Sequence, residues 1–205
     1  MSGRNIRCFV ALPLPETWMR GLDALSGALS RRLASRVSWT RPGNWHVTLR
    51  FLGEVEQGRV DAVRQALRAV RFAPFGARLG PGGSGVGGRG APRVLWLGLA
   101  EGGGPCAELA RSVEAALEPL GFAPEARAFR PHVTLGRVRR AEPGEDWGNA
   151  EGEIAVALSG ALSAPGRVEE MALLSSVLGP GGPKYAVLEV YPARDHGGGP
   201  DGGQA

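Results

Sequence analysis

The sequence predicts an α+β fold of two similar lobes, each an antiparallel sheet backed by helices. Two observations support this prediction. The tetrapeptide His-Val-Thr-Leu occurs twice, at residues 46–49 and 132–135, so the two copies begin 86 residues apart (132 − 46). Strand-like and helix-like segments alternate along the chain without the regular β-α repeat that is typical of a parallel sheet. We therefore expect the lobes to resemble each other, with one copy of the motif in each.

The first half of the chain contains three predicted strands and two predicted helices. Apolar runs or apolar–polar alternation predict strands at residues 6–12, 37–40 and 46–52. Large apolar residues at helical spacing predict amphipathic helices over residues 18–33 and 60–70. Glycine and proline are frequent between residues 76 and 92, which are predicted as a loop or an irregular hairpin.

The second half contains four predicted strands and one predicted helix. The strands are expected at residues 94–99, 129–138, 168–177 and 185–191. The helix is expected over residues 106–120, where Leu109, Val113 and Leu117 form one stripe. Residues 143–153 are predicted as an exposed connection. Residues 1–193 form the predicted single domain, and residues 194–205, with almost no apolar side chain, are predicted as a disordered tail.

Composition favours an ordinary globular protein and gives weak information about partners. The net charge of +4 permits a polyanionic partner without demonstrating one, because Lys184 is the only lysine among 24 basic residues, a bias that a GC-rich genome would impose. No apolar run has the length needed to cross a bilayer, so we expect no membrane association. Cys8 and Cys106 are isolated, which suggests a reducing cytoplasm. Nothing indicates an obligate protein partner, and a monomer is expected.

The two tetrapeptides carry the residue types that phosphoester chemistry requires. Residues i and i+2 of a strand point to the same face, so each copy presents an imidazole beside a hydroxyl, His46 with Thr48 and His132 with Thr134. Imidazole can accept or donate a proton near neutral pH. Two such pairs facing one cleft would supply an acid, a base and two hydroxyl donors for an anion. No cluster of acidic residues lies beside either copy, so we predict chemistry without a metal or another cofactor.

These residues resemble the 2H phosphoesterase superfamily, which is named after two His-x-Thr-x motifs. Among its members the chain is most similar to the bacterial and archaeal RNA 2′,3′-cyclic phosphodiesterases, also called 2′-5′ RNA ligases. The resemblance is carried by residues 7–12, 45–53, 130–137 and 173–176 and by the glycine-rich turn before Tyr185. It covers nearly the whole chain except the tail after Pro192.

The resemblance implies a bilobal fold with pseudo-two-fold symmetry and a central cleft that carries both motifs. It implies hydrolysis of a terminal 2′,3′-cyclic phosphate to a 2′-phosphomonoester, and ATP-independent 2′-5′ RNA ligation as the reverse type of reaction. His46 would be the proton donor and His132 the proton acceptor, although near-symmetry leaves this assignment reversible. Thr48 and Thr134 would bind the non-bridging phosphate oxygens.

Three arginines near the motifs are candidate substrate-binding residues. Arg50 follows His46 by four positions and Arg130 precedes His132 by two, so period two places both on the catalytic face. Arg137 follows His132 by an odd number of positions, which would place it on the opposite face of the strand. The family's second motif usually carries an arginine there, however, and the end of a strand can turn its side chain. Guanidinium matches the geometry of phosphate. A solvated or structural arginine is the equally weighted alternative for each.

The remaining candidates are less specific. Trp45 and Phe51 could stack on a nucleobase, but their odd spacing from His46 favours core packing. Residues 85–90 fit the pattern of a dinucleotide-binding loop, yet no helix follows, and we reject that interpretation. A zinc site at the two histidines lacks a third ligand. Two alternative functions stay open: a cyclic phosphodiesterase for small nucleotides or 2′-5′ oligonucleotides, and a non-catalytic RNA-binding module.

Overall fold

The computed structural model describes residues 4–82, 92–179 and 182–194, and within them nine strands form one antiparallel sheet flanked by four α-helices. The strands are β1 Asn5–Pro13, β2 Arg36–Trp39, β3 His46–Glu56, β4 Phe75–Gly80, β5 Val94–Glu101, β6 His132–Arg140, β7 Gly166–Val168, β8 Glu170–Gly179 and β9 Gly182–Pro192. The helices are α1 Glu16–Arg32, α2 Val60–Ala69, α3 Gly103–Leu117 and α4 Trp147–Ser159. The rejected dinucleotide pattern at residues 85–90 and the tail from residue 195 onward lie outside the described residues.

The sheet consists of two halves that meet between the two motif strands. Its order is β7-β4-β5-β6-β3-β1-β8-β9, with β2 also paired to β6. Within the described residues, β3 and β6 pair only at Val47 and Val133. The predicted α+β class is confirmed, and the two predicted sheets are the halves of one curled sheet joined at this point.

Each half of the sheet takes strands from both halves of the chain. In one half, β1 pairs with β3 and with the C-terminal hairpin β8–β9. In the other, the early strands β2 and β4 pair with β6 and β5. The helices are distributed in the same way, because α1 packs against α4 and α2 against α3. The two lobes are therefore interleaved.

The predicted helical stripes form the core. The inner residues of α1, α2 and α3 are almost completely buried; they include Trp18, Leu22, Leu29, Val63, Leu67, Leu109, Val113 and Leu117. The indole Nε1 of Trp18 donates a hydrogen bond to the carbonyl oxygen of Ala164 at 2.8 Å, which satisfies the polar atom of this buried ring. No helix among the described residues is both long and apolar enough to cross a membrane.

One element differs from the sequence prediction, and another agrees with one of its two alternatives. Residues 143–153 were expected to be an exposed connection, but α4 begins at Trp147, where the side chain of Asp146 accepts a hydrogen bond from the backbone nitrogen of Gly148 at 3.0 Å. Only Ala150 and Ile154 of α4 are buried, so its apolar periodicity is too short to be recognised. Strand β4 overlaps the start of the region predicted as a loop or an irregular hairpin; it pairs antiparallel with β5, as in a hairpin, and also with β7.

Both motif strands contain a β-bulge at the leucine of the motif. The partners of β3 along β1 pass from Thr48 to Arg50, and the partners of β6 along β5 pass from Thr134 to Gly136. Leu49 and Leu135 are therefore the extra residues, and both are buried. A bulge shifts the alternation of side chains by one residue. Side chains at even spacing from the motif histidine therefore share its face as far as the threonine, and beyond the bulge the residues at odd spacing share it.

The bulge in β3 makes the predicted orientation of Arg50 wrong, while its role in substrate binding stays a prediction. Arg50 was expected on the catalytic face, but its side chain is only 8% exposed and lies under α3. Its guanidinium contacts Glu114 at 3.1 Å and Glu125 at 3.0 Å and donates a hydrogen bond to the carbonyl oxygen of Ala123. Arg50 thus ties the segment that follows α3 to the sheet.

We expect Arg50→Met to lower the free energy of unfolding by about 2–3 kcal/mol, because hydrogen bonds to a buried charged group are lost together. The loss should stay below that of a fully buried pair, since both carboxylates reach solvent. Urea unfolding followed by circular dichroism measures the change. Arg68→Met is the matched control, because Arg68 pairs with Glu189 on the surface. Equal losses in the two variants would contradict a structural role for Arg50.

Candidate active site

The pairing of β3 with β6 brings the four motif residues to one cavity. Since Val47 lies opposite Val133 in antiparallel register, the flanking positions place Thr134 across from His46 and Thr48 across from His132. The two valines are buried, so the four motif side chains point to the opposite face of the sheet. All four line a cavity of about 490 Å³. The prediction that both motifs face one cleft is confirmed.

The two histidines are oriented by the same hydrogen bond. In each, Nδ1 contacts the backbone carbonyl oxygen of the residue two positions earlier, Asn44 for His46 at 2.7 Å and Arg130 for His132 at 2.8 Å. A carbonyl oxygen only accepts, so Nδ1 carries a hydrogen in both rings. The Nε2 atoms are therefore the ones available to a substrate, and each can accept or donate a proton.

The surroundings of the two imidazoles differ. The ring of His46 lies 5.1 Å from that of Phe9 and 5.3 Å from that of Tyr185, and these rings shield it from water. Burial lowers the pKa of His46, the hydrogen bond to the Asn44 carbonyl raises it in part, and the charge of His132 lowers it further. Among the described residues, the ring of His132 makes one aromatic contact, with Trp96 at 5.7 Å between ring centroids. The histidines are thus equivalent in backbone position and unlike in electrostatic environment.

Four arginines surround this cavity, which makes it attractive to a phosphate. They are Arg7, Arg41, Arg137 and Arg139. Arg137 was predicted near the site despite its parity, and the bulge at Leu135 turns it toward the cavity. Burial raises the pKa of Tyr185, and the nearby charges of Arg137 and Arg7 oppose that change. Arg130 instead lines a neighbouring cavity on the His132 side, and its role in substrate binding stays a prediction.

The prediction that Phe51 packs in the core is wrong. After the bulge at Leu49, the ring of Phe51 is turned to the cavity and is 53% exposed. Phe51 occupies in the first motif the position that Arg137 occupies in the second. Trp45 is 3% exposed, as predicted, and its Nε1 donates a hydrogen bond to Asp23 Oδ1 at 2.8 Å.

Sequence reasoning did not identify several residues of the cavity. Phe9 and Tyr185 come from β1 and β9, and only the pairing of β1 with β3 and β8 brings them to His46. Asn44 contributes its backbone carbonyl, for which the residue type carries no signal. A parity count that allowed for the bulge at Leu135 would have found Arg139. No three His, Cys, Asp or Glu side chains in the described ranges lie close enough together to share a metal ion.

Comparison with known proteins agrees with this duplicated arrangement. The LigT-like phosphoesterase family matches residues 12–96 and again residues 97–185, so each match contains one motif. An RNA 2′,3′-cyclic phosphodiesterase of Archaeoglobus fulgidus is 33% identical, with 91% of this chain and 99% of that protein covered. A protein of the same description from Methanothermobacter thermautotrophicus is 31% identical over 91% of this chain and 98% of its own length.

Solved structures show the same architecture. A protein from Thermus thermophilus superposes with a TM-score of 0.69 at 29% identity, covering 92% of this chain and 98% of its own. The apo form of E. coli LigT gives a TM-score of 0.68 at 23% identity, with 93% and 98% covered, which concerns the fold alone. With two family matches that span most of its length and one His-x-Thr-x motif in each, the chain belongs to the LigT-like phosphoesterases of the 2H superfamily.

Proposed function

We propose that this phosphoesterase hydrolyses the 2′,3′-cyclic phosphate at an RNA end to a 2′-phosphomonoester, using two histidines and no metal. The observation that carries the proposal is the pair of Nε2 atoms that remain available on one cavity, each across from a threonine of the other motif. The similarity to RNA 2′,3′-cyclic phosphodiesterases over 91% of the chain supports this choice of substrate.

The reaction needs one proton removed and one delivered on opposite sides of phosphorus. In the proposed assignment, His132 Nε2 takes a proton from the attacking water. The new P–O bond forms as the P–O3′ bond breaks, and His46 Nε2 gives its proton to the departing O3′. The hydroxyls of Thr48 and Thr134 donate hydrogen bonds to the non-bridging oxygens, where negative charge increases in the transition state.

The low pKa of His46 is compatible with its role as the acid once the substrate is considered. In the free enzyme, burial disfavours the imidazolium form. A bound phosphate diester places a negative charge beside the ring and favours that form again. The substrate itself therefore promotes the protonation state that its cleavage requires.

A small cyclic nucleotide is the second candidate substrate, because a cavity of about 490 Å³ has room for a single nucleotide.

The proposal includes ATP-independent 2′-5′ joining, in which the hydroxyl group of a second RNA strand replaces the attacking water. The proposed chemistry requires no cofactor, and it requires no second subunit because all four motif side chains come from one chain.

We also propose a cytoplasmic location, which suits the free and buried Cys8 and Cys106.

Replacing either histidine should abolish most turnover. We expect His46→Ala and His132→Ala each to lower kcat by about 10²–10⁴-fold on an RNA oligonucleotide with a 2′,3′-cyclic phosphate end, in the presence of EDTA. Thr48→Val and Thr134→Val keep the side-chain shape but remove a donor, and should each cost about 10²-fold or more. Product analysis should give a 2′-phosphate end. Full activity in both histidine variants would refute the catalytic proposal and favour an RNA-binding module.

The titration of His46 should respond to phosphate. We expect His46 in the free enzyme to titrate below about pH 6.5, the ordinary value, and to move upward when a nucleoside 2′-monophosphate binds. Proton NMR of the imidazole hydrogens, assigned with His46→Gln, measures both values. If binding leaves the titration of His46 unchanged, the phosphate does not lie beside that ring, and the assignment of His46 as the acid is wrong.

Phe51 should contribute to the recognition of a nucleobase. Stacking on an aromatic ring is worth about 1–3 kcal/mol per base, so Phe51→Ala should raise KM for a 2′,3′-cyclic nucleotide by about 5–150-fold. Hydrolysis of glycerol 1,2-cyclic phosphate, which lacks a base, should change little. A parallel loss on both substrates would show that Phe51 maintains the site and does not bind the base. Phe51→Trp, which keeps a stacking surface, should retain activity on the nucleotide.

A further inference from the structure

A second cavity adjoins the site on the side of His132. Its volume is about 560 Å³, and it shares Thr48, Phe51 and His132 with the first cavity. His46 lines the first cavity but not the second. The two cavities therefore meet where the phosphate is proposed to lie. Of the two motif histidines, only His132 lines the second cavity.

The lining of this cavity combines an apolar floor with a basic rim. Leu49, Ala110 and Phe129 contribute apolar surface, and the exposed arginines Arg111 and Arg127 stand around it. Its two carboxylates, Glu114 and Glu125, are both ion-paired with Arg50, whose single positive charge offsets one of their two negative charges. An apolar surface bordered by guanidinium groups suits a nucleotide, whose base is apolar on its faces and whose phosphates are anionic.

The position of the second cavity relative to the reacting phosphate limits which molecules it can bind. Attacking and leaving oxygens lie roughly in line on opposite sides of phosphorus. The leaving O3′ belongs to the ribose of the substrate, so in the proposed assignment that ribose lies on the His46 side. The side of His132 receives the nucleophile. A water molecule occupies about 30 Å³, far less than this cavity offers.

We infer that the second cavity is the binding site for the 5′-hydroxyl end of an acceptor RNA strand, an inference that rests on the proposed function. In that reaction the acceptor O5′ forms a bond to phosphorus and passes its proton to His132 Nε2. The P–O3′ bond breaks, and O3′ takes the proton from His46 Nε2. The product is a 2′-5′ phosphodiester, and solvent restores the two protonation states.

The test follows joining and hydrolysis in one reaction. A labelled RNA ending in a 2′,3′-cyclic phosphate is incubated with increasing concentrations of an RNA that begins with a 5′-hydroxyl, and both products are separated on a denaturing gel. For the unmodified enzyme, the initial rate of joining should rise and saturate while the rate of hydrolysis falls, because a bound acceptor competes with water. A joining rate that rises linearly beside an unchanged rate of hydrolysis, or no joined product beside normal hydrolysis, overturns the acceptor site and leaves the proposed hydrolase intact.

Variants locate the site. Arg111→Ala and Arg127→Ala should each lower the joining ratio at subsaturating acceptor by about tenfold, the loss of one charge-assisted contact to phosphate. Ala107→Trp, which fills the floor, should do the same without a change of charge. Hydrolysis without acceptor should stay within about twofold of normal in all three. Arg20→Ala, on the exposed surface of α1, is the matched control and should change neither product.

Two results would overturn the inference while the hydrolase proposal stands. If the variants slow hydrolysis in parallel with joining, the cavity holds the strand that carries the cyclic phosphate. If they leave the joining ratio at the level of Arg20→Ala, the acceptor binds elsewhere. Absence of hydrolysis in the unmodified enzyme would instead refute the proposed function, and the acceptor site with it.

Discussion

The pairing of Val47 with Val133 is the contact on which the candidate site depends. An antiparallel pair has a local two-fold axis, so this one contact places each histidine across from the threonine of the other motif. Both valines are buried in the core, which opposes a change of register. A slip of either strand by one residue would turn the histidine and threonine of that strand away from the cavity. The interleaved strands on either side hold the pair in place.

The two equivalent bulges direct different side chains to the cleft, which makes its two halves chemically unlike. Leu49 and Leu135 each interrupt their strand directly after the motif threonine, so the same backbone device directs a further side chain to the cavity. In one strand that side chain is Phe51 and in the other Arg137. Together with the aromatic rings around His46, this gives the two halves different chemistry. Unlike environments are what separate an acid from a base when both are histidine.

Arg50 stabilises the architecture around the candidate site, although it follows directly after the first His-x-Thr-x motif. It was predicted on the face of the motif histidines, and it lies instead among Glu114, Glu125 and the carbonyl of Ala123. These contacts hold the end of α3 and the segment after it against β3. The same segment carries Arg127 and borders the cavity on the His132 side. The shape of that cavity therefore depends on an ion-pair network that forms part of its wall.

The amino-acid sequence by itself determined the fold class, the apolar stripes of α1, α2 and α3 and the four motif residues. These features depend on local periodicity and on a repeated pattern, which are visible in one dimension. Only the tertiary structure decided that Phe51 faces the cavity and Arg50 the core, that residues 147–159 form a helix, and that Phe9 and Tyr185 enclose His46. The physical reason is that bulges and strand neighbours depend on register between segments far apart in the chain, and a spacing rule assumes an uninterrupted strand.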